Sequence, residues 1–143
     1  MIFLEKDMLQ VSITYLAMLG FFVCAELIVL TNIIQPLFSK HIGHLMRENT
    51  NFLFAAVFYL FYVAGVYWFA TKAGLRSDSL AVAIFSGGFL GLIAFGTFEL
   101  TNHLILKDWK IVLVFIDTSW GILISGAMAA VGYQVHKWIE QAP

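Results

Sequence analysis

The stretch NFLFAAVFYLFYVAGVYWFA, Asn51 to Ala70, carries no charged residue and is crowded with Phe and Tyr. A bilayer core of about 30 Å is crossed by about 20 mostly apolar helical residues, because in hydrocarbon only the helix itself satisfies the backbone polar groups. The stretch matches that length, so it reads as a transmembrane helix. The whole chain agrees with it. Of 143 residues, 61% are hydrophobic and only 12% charged, with a mean hydropathy of +0.87, whereas soluble domains are about one-quarter charged.

Three further segments have the same character, giving spans near Leu9 to Ile34, Phe52 to Ala70, Leu80 to His103 and Ile111 to Val135. The connectors QPLFSKHIGHLMREN, TKAGLRSDS and LILKDW are short and polar. The expected fold is therefore all-α: an integral membrane four-helix transmembrane bundle with short connectors, a single domain over residues 1–143. Pro36 is expected to stop span one, since the residue before a proline is pushed out of the helical region. The acidic start, with Glu5 and Asp7 around Lys6, and the lack of a small-residue cleavage site mark the first span as a retained anchor.

Eight Lys and Arg against nine Asp and Glu give no basic field for nucleic acid. The lipid bilayer is the expected partner, with a homo-oligomer or larger membrane complex as a further one. Lys6, Lys72, Arg76 and Lys137 lie on one side, and Lys40, Arg47, Lys107 and Lys110 on the other, so the positive-inside rule assigns no orientation. Trp68, Trp109 and Trp138 fall near span ends, where indoles favour the headgroup layer. Cys24 is the sole cysteine, which excludes an intramolecular disulfide. Gly87 and Gly91 in span three, and Gly121, Ser125 and Ala129 in span four, form small-residue stripes that let helices approach closely in lipid.

Against this apolar background, three acids stand inside the spans. At a rise of about 1.5 Å per residue, Glu26 lies roughly 12 Å, Glu99 roughly 6 Å and Asp117 roughly 10 Å from span ends that face the same side. All three therefore fit within one leaflet. An ion at mid-membrane costs about 2.5–3.5 kcal/mol, so three unpaired ones would cost on the order of 8 kcal/mol. The spans hold no Lys or Arg near this level, which leaves a shared proton, a bound cation, hydrogen bonds or basic side chains reaching in from the connectors. Asn102 and His103 share a helix face with Glu99, and Trp120 and Gly121 with Asp117. Asn32, His41, His44 and His103 are accessory candidates at the same level. A plainer reading makes Glu99 and Asp117 markers of the water boundary.

The order of HIGHL, FYLFYVAGVYWFA, GGFLGLIAFGTFELTN, LKDW and IDTSWG resembles a bacterial family of predicted membrane proteins, domain of unknown function 2177. The resemblance runs from about Glu26 to Gly132. It implies signature acids at Glu26, Glu99 and Asp117 with Asn102, Trp120 and Gly121 beside them, and a location in the bacterial inner membrane. Glutamates stand here where the family pattern has aspartates at the first two acids, and Leu27 and Ile28 replace a Trp-Leu pair.

Three functions are compatible with these residues. The leading one is a carboxylate site for a proton, a cation or a small amphiphilic ligand, formed by Glu26, Glu99, Asp117, Asn102 and Trp120. The others are a membrane enzyme acting on lipid or another apolar substrate, and an accessory subunit of a larger complex. Nucleotide, nucleophile-elbow and His-Glu-x-x-His motifs are missing from the sequence. Metal ligation by acids and histidines, or haem on His41, His44 or His103, stays open, and no cofactor is assigned.

Overall fold

The computed structural model describes residues 2–49 and 52–141. Met1, Thr50, Asn51, Ala142 and Pro143, included in the single-domain expectation, lie outside the described residues. Among the described residues the regular structure is helical throughout: α1 (Ile2–Val29), a π-helical turn (Leu30–Ile34), α2 (Gln35–Ile42), a short 3-10 turn (Gly43–Leu45), α3 (Phe52–Val66), a second π-helical turn (Tyr67–Thr71), α4 (Lys72–Arg76), α5 (Leu80–Ile105) and α6 (Ile111–Gln141). These join into four rods long and apolar enough to cross a membrane: Lys6–Leu45, Phe52–Arg76, Leu80–Ile105 and Ile111–Gln141. The protein is an all-α integral membrane bundle. Large side chains such as Phe54, Phe61, Phe85 and Phe115 point outward, as a lipid-facing surface requires.

Pro36 does not stop the first rod. Gln35, the residue before it, keeps helical angles (φ −60°, ψ −45°), and α2 continues with Pro36 in its first turn. A proline in a helix lacks the N–H for the i−4 bond and its ring crowds that carbonyl. The π turn immediately ahead absorbs this by widening the ladder, one of the adjustments that let helices carry proline in a membrane. The rod therefore runs 40 residues, about 60 Å, twice a bilayer core. Its outer end turns to use: Leu37, Phe38 and Ile42 pack on Trp109, Leu113 and Val114 at the α5–α6 hairpin.

α5 and α6 form the most intimate pair, and glycines permit it. A Cβ on Gly91 would overlap the carbonyl oxygen of Gly121 and come within 2.6 Å of Ser125 Oγ. One on Gly87 would meet the Ser125 carbonyl at 2.5 Å and the Ala129 methyl at 2.8 Å. The two small-residue stripes thus face each other. α1 lies against α6 and α3, and the second π turn brings the end of α3 onto α5. The central core is Met18 and Phe22 of α1, Val63 and Val66 of α3, and Ile124 and Met128 of α6.

At the opposite end from the acids, Asp78 adopts a left-handed conformation (φ 47°) in the tight turn between α4 and α5. Its Oδ1 accepts from Lys137 Nζ at 3.0 Å and from Tyr133 OH at 3.2 Å, so the turn is tied to α6. The Lys137 ammonium holds the Asp78 carboxyl below the ordinary carboxylate range.

Candidate functional site

Helix geometry buries all three acids inside the bundle. Glu99 is 0% exposed, Glu26 7% and Asp117 8%. The side chains of Glu99 and Asp117 approach each other across the α5–α6 pair closely enough to interact, and Asp117 is close enough to Glu26 for their charges to act on each other. The α5–α6 hairpin explains the first contact. Glu99 stands nine residues before Asp108 in the turn and Asp117 nine after it, so two antiparallel helices carry the two acids to one height.

Two indoles serve the acids. Trp120 Nε1 donates to Glu26 Oε1 at 2.9 Å, bridging α6 to α1. Trp109 Nε1 donates to Glu99 Oε2 at 2.7 Å. Its place near a span end suggests the headgroup layer, but Trp109 is only 7% exposed, because Phe38 and Phe98 meet its ring edge-on at 5.5 and 5.6 Å. His103, one turn beyond Glu99, holds the backbone carbonyl of Trp109 through Nδ1 at 2.7 Å. One face of α5 therefore grips Trp109 twice, at its indole and at its backbone. Trp68 and Trp138 remain exposed, and Lys72 Nζ lies 3.7 Å over the Trp68 ring.

The other oxygen of Glu99, Oε1, is buried and has no hydrogen-bond donor among the described residues. Glu26 takes a donor on Oε1 alone, and beyond its contact with Glu99, Asp117 takes no N–H or O–H from the described residues. Such groups are rarely left unsatisfied inside a protein. Beside them is a cavity of about 360 Å³ between α1, α3, α5 and α6. Its walls are aromatic: Phe22, Phe58, Tyr59, Phe95 and Phe98. Leu30 and Ala94 complete the apolar lining, and Glu26 and Asp117 are its two charged groups. Tyr62, next to this wall, shares a hydrogen bond of 2.6 Å with Ser125, which in turn donates to the Gly121 carbonyl.

Among the described residues, the remaining candidates make no hydrogen bond or ion pair to the acids. Asn102 is half-buried and makes no side-chain hydrogen bond among the described residues. Asn32 donates to the Ile28 carbonyl and to Thr31 on its own exposed helix face. His41 bonds the Leu37 carbonyl, and His44 pairs with Asp108 at 3.1 Å on the exposed surface. Among the described residues, no three His, Cys, Asp or Glu side chains gather as a metal-binding group. Trp109 is the participant that the sequence does not announce.

A family model described as predicted membrane protein, domain of unknown function 2177, matches residues 11–134. The chain belongs to that family. The match takes in most of each of the four spans and includes the three acids, Trp109 and Trp120. No curated protein and no solved structure matches the chain. Family membership supports an integral membrane protein and carries no assigned activity, so the chemistry of the DUF2177 site is read from its own geometry.

Proposed function

We propose that this protein is a proton- and ligand-binding membrane protein, in which Glu99 and Asp117 share a proton within one leaflet and Glu26 faces a ligand cavity open to the bilayer. The contact of two buried carboxyls, with Glu99 Oε1 lacking any donor among the described residues, carries the reading. Two carboxylates in contact and shielded from water cannot both hold their charge, and a proton between them turns repulsion into a hydrogen bond. Trp109 then satisfies the outward oxygen of Glu99 and, with α2 over it, closes the pair off from the connectors.

The proton pair and the cavity meet at Asp117, which touches Glu99 and also lines the cavity. Occupation of the cavity is thereby linked to the proton. Ionisable groups within membrane spans mark proton or ion pathways as a rule. A single bundle of four helices encloses little volume, so movement of the ligand across the membrane calls for a homo-oligomer or a larger complex. The bacterial inner membrane is the proposed location.

Proton counting on purified protein tests the reading. Wild type should bind more protons at neutral pH than Glu26→Gln/Glu99→Gln/Asp117→Asn, with the difference carried by Glu99 and Asp117. Equal proton binding by the two proteins would remove it.

A further inference from the structure

The cavity combines features that specify its ligand. Phe58 and Phe98 line it and are both about half exposed on the outer surface of the bundle, so the cavity is open on a lipid-facing side that can admit a hydrocarbon chain. Its buried lining includes Glu26 and Asp117. Asp117 is more than nine-tenths buried, lines the cavity and, beyond its contact with Glu99, receives no N–H or O–H donor among the described residues. Glu26 keeps one oxygen free of donors. A Glu99–Asp117 pair that holds one proton carries one negative charge, Glu26 adds a second when ionised, and no Lys or Arg lines the cavity to balance them. A head with a net negative charge and no cationic group meets only repulsion there. A cation gains charge pairing and also the faces of aromatic rings, which attract ammonium groups. The volume, about 360 Å³, is near the small end of ligand pockets, which run from about 300 to 1,000 Å³.

We infer that the cavity binds a small amphiphile carrying one ammonium group, with the cationic head at Glu26 and Asp117 and the hydrocarbon chain leaving between Phe58 and Phe98. This deepens the proposed function and rests on its cavity, with Glu26 as the counter-ion. The ammonium group has two sources, a simple alkylamine or the amine of a lipid headgroup.

The test is calorimetric titration of the protein in phosphatidylcholine nanodiscs with octylammonium, octanol, octyl sulfate and dihexanoyl phosphatidylethanolamine. Saturable octylammonium binding is expected, with octanol and octyl sulfate at least tenfold weaker. Glu26→Gln should weaken octylammonium on the order of tenfold and leave octanol unchanged, as the loss of one close charge pair worth about 1.4 kcal/mol predicts. Phe58→Leu, on the half-exposed lining, gives a second variant that does not touch the acids and should also weaken binding. Binding of octylammonium alone assigns a simple amine; Glu26-dependent binding of phosphatidylethanolamine as well assigns a lipid headgroup. Octylammonium binding no tighter than octanol, or indifferent to Glu26→Gln and Phe58→Leu, overturns the inference. Proton counting on the same samples separates the two proposals: an intact shared proton without ammonium binding removes only this one.

Discussion

Trp109 lies ten residues beyond Glu99 in the chain, yet its indole N–H returns to donate to Glu99 Oε2 at 2.7 Å. The turn between α5 and α6 thus closes over a carboxyl that the lipid phase would otherwise penalise. Trp109→Phe keeps the ring packing with Phe38 and Phe98 and removes only the donor. An unsatisfied buried group costs about 1–3 kcal/mol, so the melting temperature in detergent should fall. In a Glu99→Gln background the same change should cost less than in wild type. Thermal unfolding of the four proteins of this cycle checks both statements, and strict additivity would separate Trp109 from Glu99.

Gly91 and Gly121 meet where no Cβ fits. Gly91→Ala should force α5 and α6 apart and destabilise by about 1–3 kcal/mol, the usual penalty of overpacking. At Gly20 and Gly65 an added methyl would have nothing within 4 Å, so alanine there should be neutral or stabilise by roughly 0.5–1 kcal/mol through helix propensity. Thermal unfolding of the single variants distinguishes the two classes.

The Asp78 tie to Lys137 should be visible in the pH dependence. The Asp78 carboxyl is held below its ordinary value of about 3.9 by Lys137. Its contribution is therefore fully present above that value and is lost as pH falls through the lower, folded value. The difference in melting temperature between wild type and Asp78→Asn should be constant above pH of about 5 and shrink on acidification. Asparagine is the suitable replacement because it tolerates the left-handed conformation of this turn.

Most of the architecture is legible in the sequence because hydrocarbon imposes simple rules. Phe52, Leu80 and Ile111 begin α3, α5 and α6, as hydropathy indicates. Hydropathy places the far ends short: α6 runs to Gln141 rather than Val135, since hydropathy senses the hydrocarbon core while the helix continues beyond it. Pro36 misleads for a different reason, because the π turn at Leu30–Ile34 supplies a local accommodation that no propensity rule contains. The histidines fail to join the three acids because His41 and His44 bond within α2 and across the exposed surface. Position alone marks Trp109 as an interfacial anchor. Its place in the hairpin beside Asp108 becomes a signal only once the turn is seen to fold inward under α2.

Infrared spectroscopy of the protein in lipid at neutral pH tests the shared proton most directly. The carbonyl stretch of a protonated carboxylic acid is expected in wild type, shifted in deuterium oxide and abolished in Glu99→Gln/Asp117→Asn, while Glu26→Gln retains it. A wild-type spectrum with carboxylate bands alone would contradict a proton held between Glu99 and Asp117.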